Sequence, residues 1–143
     1  MVEKLLCATD GSHPSEKAVA VAVDLAKSLG TGLTFLTVET VSSERAAKTY
    51  FWDSKLLEAG DALVHRELGT ARKAAQAAGL ADVRCVTTCG RDIAEAIVAY
   101  AEAEGYHHII VGSAGRRGLN KLILGSVAQA VTVRAHCPVT VAR

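Results

Sequence analysis

A short apolar run that ends at a glycine turn sets the pattern of the whole chain: Leu5-Leu6-Cys7-Ala8-Thr9-Asp10-Gly11-Ser12. Four consecutive apolar residues before Thr, Asp and Gly are typical of a buried strand that ends in a tight turn. Pro14 then opens a helix, whose apolar positions recur every three to four residues, at Ala18, Ala22, Leu25 and Leu29. Gly30 and Gly32 end this helix. The stretch therefore predicts a strand, a turn and a helix that covers the strand.

The same alternation continues to the end of the chain. Apolar runs predict further strands at residues 33–38, 83–88, 108–111 and 138–142. Strands separated by helices pair in parallel through right-handed crossovers, and continuous apolar strands are covered on both faces. The order β-α-β-α-β-α-β-α-β therefore predicts an α/β fold with one doubly wound five-stranded parallel sheet, formed by a single domain over residues 1–143.

Three further helices are expected between these strands. The first is long, with Leu56, Leu63, Leu68, Ala71, Ala75 and Ala78 on one face and Gly79 at its end. The second begins at a capping box formed by Asp92 and Glu95, carries Ile93, Ile97 and Tyr100, and ends at Gly105. The last begins at a cap formed by Ser126 and Gln129 and buries Val127, Ala130 and Val131. Residues 39–54 carry no clear pattern.

Composition excludes several classes of protein. The 143 residues include 16 Lys and Arg against 15 Asp and Glu, so the net charge of +1 argues against broad binding to nucleic acid or an anionic membrane. No apolar run reaches the ~20 residues that span a bilayer, and the N-terminus lacks the layout of a signal peptide. The four cysteines form no CxxC pair and are expected to be reduced thiols. We therefore expect a cytoplasmic protein.

A glycine- and arginine-rich stretch follows the fourth strand. Gly112, Gly115 and Gly118 would let backbone N–H groups approach an anion, and positive charge comes from Arg116, Arg117 and Lys121. Gly125 and Ser126 stand at the start of a helix, where free N–H groups favour negative charge. The pattern indicates phosphate binding. The alternative is a tight strand-to-helix turn in which the arginines are only solvated and Ser126 only caps the helix.

The spacing Gly112-x-x-Gly115, nine residues, then Gly125-Ser126 resembles the ATP-binding signature of the universal stress protein family. The resemblance spans the whole chain, from the Thr9-Asp10-Gly11-Ser12 turn to the closing Cys137-Pro138-Val139-Thr140-Val141. It implies a Rossmann-like sheet of order 3-2-1-4-5, similar to the adenine nucleotide alpha hydrolases. In that order strands one and four are neighbours, so their loops meet where strand order reverses, which is where such folds bind ligands.

The resemblance also implies roles for individual residues. Asp10, with the backbone of Ala8 and Thr9, would lie beside adenine or ribose, and Val38 would line the adenine site. The ribose and phosphates would contact Val111, Gly112, Ala114 and Gly115, and the phosphate tail would contact Gly125, Ser126 and Val127. Arg116 is added to this set from its charge and position. The expected ligand is ATP, with Mg²⁺ or Mn²⁺ as its counter-ion.

The last strand of a 3-2-1-4-5 sheet is an edge, and an apolar edge tends to pair with another strand. Members of the family often dimerise by joining these edges, so we expect a homodimer through Val139 and Val141. Half of the aromatic residues stand together at Tyr50-Phe51-Trp52, for which packing or a dimer contact is favoured over a nucleotide lid.

The leading functional hypothesis is an ATP-binding regulatory dimer in stress response. The alternatives are a slow ATPase or autophosphorylating protein, with Ser113 or Ser126 as phosphoryl acceptor, and a nucleotide-free dimeric scaffold. No convincing group orients an attacking water, and Asp10 is the sole candidate carboxylate for a metal, so slow turnover or none is expected.

Overall fold

The computed structural model describes residues 4–10, 15–40, 68–113 and 124–143. Five strands form one parallel sheet in the order β3-β2-β1-β4-β5, with helices on both faces, which confirms the predicted Rossmann-like class and strand order. Strand order reverses between β1 and β4, so the carboxyl ends of these two strands lie side by side. Within the described ranges, no helix is long and apolar enough to cross a membrane.

Each predicted strand is present. The five are β1 (Lys4–Ala8), β2 (Gly32–Thr40), β3 (Val83–Gly90), β4 (His108–Gly112) and β5 (Val139–Ala142). The second and third strands extend two residues further than expected, because Glu39 pairs with Cys89 and Thr40 with Gly90. In the sequence, both apolar runs end before these residues. In the structure, backbone pairing between β2 and β3 continues through them.

The helices form one layer on each face of the sheet. They are α1 (Glu16–Leu29), α2 (residues 68–77 of the described chain), α3 (Ile93–Ala103) and α4 (Ser126–Arg134). Small residues of α1 and α2, among them Ala22 and Ala75, pack with Phe35 and Ile110 in one core cluster. On the opposite face, α3 and α4 pack with Leu6, Leu36 and Ile109 in a second cluster. Burial on both faces explains why the strands read as nearly continuous apolar runs.

Some of the apolar helix positions picked out in the sequence are exposed, and one predicted buried stripe is only partly buried. Leu29 is 50% exposed because it is the last residue of α1, where the chain leaves the helix at Gly30 before β2. Ile93 is 37% exposed at the first position of α3, one residue after the cap. In α4 the fully buried residues are Ala128 and Val131, while Val127 and Ala130 are only half-buried at the flank of that stripe. Of the predicted stripe of α4, only Val131 is therefore fully buried.

Candidate functional site

The chain after β1 stays attached to β2 beyond the end of the strand. The Thr9 N–H donates to the Leu36 carbonyl oxygen at 2.9 Å, and the Thr37 hydroxyl donates to the Thr9 carbonyl oxygen at 2.7 Å. Thr9 is buried, Asp10 is half-buried, and Ala8 is half-buried at the strand's last position. Hydrogen bonds of the Thr9 N–H and carbonyl groups therefore fix the direction in which the backbone leaves the sheet between Ala8 and Asp10.

Apolar side chains of three segments pack on the same core cluster at the carboxyl edge of the sheet. Ala8, Val38, Leu124 and Val127 are all half-buried, and all pack against the core cluster that contains Leu36 and Val111. They come from the carboxyl ends of β1 and β2, from the first turn of α4 and, in the case of Leu124, from just before that helix. We call these four residues the apolar wall. Such partly exposed carbon surface suits the face of a flat aromatic ring.

The segment after β4 and the start of α4 are held together by the backbone. The Ser113 N–H donates to the Ala142 carbonyl oxygen at 2.8 Å, and the Gly125 N–H donates to the Ser113 carbonyl oxygen at 2.7 Å. Both ends of the glycine- and arginine-rich stretch therefore lie next to each other at the carboxyl edge of the sheet. Since β4 neighbours β1, this places Gly125 on the same edge as Asp10.

The predicted cap of α4 by Ser126 is wrong. The N-cap is Gly125, and Ser126 is already the first helical residue, with an exposed side chain. Gln129, the other half of the predicted cap, uses its side-chain amide to donate to the Leu124 carbonyl oxygen at 3.1 Å. The N–H groups of the first three helical residues have no acceptor within the helix. The start of α4 thus offers backbone donors and one exposed hydroxyl.

The structure brings together most of the predicted site residues that it describes. Those at the carboxyl edge are Ala8, Thr9, Asp10, Val38, Val111, Gly112, Gly125, Ser126 and Val127. The predictions for Ala114, Gly115 and Arg116 lie outside the described residues, as do those for Arg117, Gly118, Lys121 and Tyr50-Phe51-Trp52. Sequence reasoning missed Thr37 and Ser15, whose hydroxyls contact Thr9. Their signal was weak, since a threonine in a strand and a serine before a helix are both commonplace.

The cysteines are free thiols, as expected. Burial raises the pKa of the fully enclosed Cys7 thiol to about 12, so this thiol stays protonated at neutral pH. The pKa of Cys89 is also raised, first by partial burial and then by the nearby Glu39 carboxylate. Among the residues that the structure describes, no group of three or more His, Cys, Asp or Glu side chains is placed to hold a metal ion.

Comparison with known proteins identifies the family. The model described as the universal stress protein family matches residues 1–143. Universal stress protein YxiE from Bacillus subtilis (strain 168) is 32% identical over 148 aligned residues, which cover 100% of each chain. The chain therefore belongs to the universal stress protein family, which confirms the resemblance noted in the sequence.

Solved structures agree with this assignment. The hypothetical protein MJ0577 superimposes with a TM-score of 0.81 at 25% identity, covering 99% of this chain and 96% of the other. A universal stress protein in complex with cAMP superimposes with a TM-score of 0.75 at 28% identity, covering 99% and 97%. That relative contains an adenine nucleotide; the ATP-binding subgroup of the present chain stays a prediction.

Proposed function

We propose that this chain is an adenine-nucleotide-binding universal stress protein, with ATP as its ligand and a regulatory role in stress response. The observation that carries the proposal is the 2.7 Å hydrogen bond from the Gly125 N–H to the Ser113 carbonyl oxygen. This bond closes the glycine-rich stretch so that the start of α4 lies at the point where strand order reverses. The 28%-identical relative in complex with cAMP supports an adenine nucleotide as the class of ligand.

The apolar wall gives the base a surface, with Ala8 and Val38 beneath one face of adenine. Phosphates would accept hydrogen bonds from the free N–H groups of Ser126 and Val127 and from the Ser126 hydroxyl, because a helix N-terminus favours anions. Asp10 is negatively charged and repels phosphate, so we assign it to the ribose or adenine side. Val111, Gly112, Ala114, Gly115 and Arg116 would surround the ribose and phosphates, as the family resemblance implies.

Mg²⁺ or Mn²⁺ would accompany the nucleotide chiefly as a ligand of its phosphate oxygens. Both cations prefer oxygen ligands, and Asp10, just after the end of β1, is the one carboxylate that the sequence suggests as a candidate metal ligand. The cation supplies positive charge that neutralises the phosphates. The protein's own residues supply the backbone donors and the apolar wall.

The proposed regulatory unit is a homodimer through β5, which is an edge strand of the sheet. Val139 and Val141 are half-buried along this edge, and β5 has a partner on one side only among the described strands. Unpaired backbone groups on an apolar edge favour pairing with the same edge of a second copy. Light scattering at micromolar concentration should give twice the chain mass of 14.9 kDa, and Val141→Pro should give the monomer mass.

A charge at the start of α4 tests nucleotide binding. In Ser126→Asp, a carboxylate at the first helical position should stabilise the fold by about 0.5 kcal/mol through the helix dipole. The same carboxylate would face the phosphates, so ATP affinity measured by calorimetry should fall at least about tenfold, or about 1.4 kcal/mol. AMP should lose less affinity than ATP. A variant whose fold is damaged would be less stable than the native protein, so greater stability together with weaker ATP binding would point to a local effect at the site.

Two matched controls accompany this variant. Ser126→Asn introduces a side chain of the same size as aspartate but without its charge, and this variant should retain most of the ATP affinity. Val133→Asp adds the same charge to the same helix at a side chain that is 83% exposed and about two turns away. It should leave ATP affinity unchanged. Failure of the native protein to bind ATP, AMP or cAMP would leave the nucleotide-free scaffold as the better account.

A further inference from the structure

Three buried residues with hydroxyl side chains are linked around Thr9, just after the end of β1. The Thr9 and Ser15 hydroxyl oxygens lie 2.9 Å apart, and the Thr37 hydroxyl donates to the Thr9 carbonyl oxygen at 2.7 Å. All three residues are buried, with Thr37 only 2% exposed. We call Thr9, Ser15 and Thr37 the hydroxyl cluster. It joins three separate elements, namely β1, the start of α1 and β2.

Ser15 occupies the N-cap position of α1 without capping the helix through its side chain. Its backbone is already helical, at φ −76° and ψ −14°, and the cap has no side-chain hydrogen bond. A serine at this position ordinarily accepts from an N–H of the first helical turn. Here the hydroxyl meets Thr9 instead, six residues earlier in the chain. This contact ties the end of β1 to the start of α1 across residues 11–14.

Thr37 and Val38 divide the carboxyl end of β2 between the two faces of the sheet, because successive side chains of a strand point to opposite faces. Val38 lies on the α3 and α4 side as part of the apolar wall. Thr37 bonds the Thr9 carbonyl, while the N–H of Thr9 bonds the Leu36 carbonyl oxygen at 2.9 Å. The peptide groups on both sides of Thr9 are therefore fixed, and with them the direction in which Asp10 leaves the sheet.

We infer that Thr37 and Ser15 are positioning residues, which hold the Thr9–Asp10 backbone in place for the nucleoside half of the ligand. The inference rests on the proposed adenine-nucleotide binding. The hydroxyl cluster lies at the end of β1, whereas the proposed phosphate donors belong to α4. Loss of the cluster should therefore weaken all adenine nucleotides by the same factor, whatever their number of phosphates.

The central experiment compares Thr37→Val with Thr37→Ser. Valine has nearly the shape of threonine and lacks the hydroxyl, so affinity for ATP and for AMP should each fall about tenfold in calorimetry. Serine keeps the hydroxyl and should restore affinity to within about threefold of the native value. Equal loss for ATP and AMP differs from the Ser126→Asp result, in which ATP loses more. Ser15→Ala supplies a second variant and should reproduce the equal loss.

Thr34→Val is the matched control for loss of a buried hydroxyl. Thr34 belongs to the same strand and is also buried, and its hydroxyl accepts from the Tyr106 hydroxyl at 2.8 Å near the opposite end of the sheet. This variant loses one buried hydrogen bond as Thr37→Val does, but it should bind ATP and AMP like the native protein. Equal nucleotide affinity in the two valine variants would overturn the inference.

A second readout needs no nucleotide. Hydrogen exchange measured by NMR should show the Thr9 amide exchanging about tenfold faster in Thr37→Val than in the native protein, and unchanged in Thr34→Val when differences in global stability are subtracted. Unaltered exchange at Thr9 would overturn the positioning role even if ATP binds. Failure of the native protein to bind ATP and AMP would instead overturn the proposed function, so the two failures are distinguishable.

Discussion

The end of the sheet where its strands begin, the amino edge, is built differently from the end where its strands finish, the carboxyl edge. At the amino edge, where each helix returns to a strand, three turns end their helices with a glycine at positive φ: Gly30 (64°), Gly79 (84°) and Gly105 (69°). The turns after α1 and α2 each bond back to the last turn of their helix, as in Thr31 N–H to Ala26 and Leu80 N–H to Ala75. These connections are short and satisfy their own backbone groups.

Side chains also close the amino edge. Tyr106 is buried, donates its hydroxyl to Thr34 at 2.8 Å, and packs beside Tyr100 with ring centroids 5.8 Å apart. The Lys4 ammonium lies 4.5 Å above the Tyr106 ring and also donates to the Glu104 carbonyl oxygen. At the carboxyl edge, by contrast, the apolar wall is half-buried and the first amides of α4 lack acceptors within the helix. The contacts of the amino edge therefore stabilise the fold, whereas the carboxyl edge offers apolar side chains and backbone N–H groups to a ligand.

Truncating the tyrosine at the amino edge should have the largest effect on stability. Tyr106→Ala removes a buried ring and its hydrogen bond, which should lower the free energy of unfolding by about 3–5 kcal/mol in urea titrations. Tyr106→Phe keeps the ring and should cost about 1 kcal/mol. Both folded variants should bind ATP with native affinity. A tenfold loss of ATP affinity in Tyr106→Phe would break the proposed division between the two edges.

Much of the amino edge could be predicted from the sequence. A glycine after a run of helical periodicity predicts the end of a helix, and Gly30, Gly79 and Gly105 all fulfil that expectation. One local feature of the carboxyl edge, the predicted cap at Asp92, is also confirmed, because its carboxylate accepts from the Glu95 N–H at 3.0 Å. These features depend on residues close in sequence, so local pattern is enough to find them.

The carboxyl edge was less predictable because its contacts join residues far apart in the chain. Thr37 reaches Thr9 across 28 positions, and only the register of β1 against β2 brings them together. Ser126 was mispredicted for a different reason. Glycine and serine are both common N-caps, so the sequence allowed the helix to begin after Gly125 or after Ser126. Because the N-cap is Gly125, the Ser126 hydroxyl is exposed rather than used as a cap. The family resemblance supplied the expected site there, and its nucleotide contacts stay predictions.

Substituting one glycine at each edge should have a smaller effect on stability, and for a different reason at each edge. Gly79 has φ +84° and open space around a Cβ, so Gly79→Ala should cost about 1–2 kcal/mol through backbone strain alone. Gly90 ends β3 at the carboxyl edge, where a Cβ would lie 3.0 Å from the Ala96 Cβ of α3. Gly90→Ala should therefore cost about 1 kcal/mol through crowding.

A double-mutant cycle separates the two causes. Ala96→Gly costs some helix stability by itself, but it removes the methyl group that crowds Gly90→Ala, so the two changes should couple favourably by at least about 0.5 kcal/mol. The same Ala96→Gly combined with Gly79→Ala should be additive, since no neighbour limits that site. Coupling in both cycles, or in neither, would mean that the two glycines are required for the same reason. The expected single coupling would show that a helix approaches the backbone closely at the ligand edge, where substitution is limited by space rather than by φ.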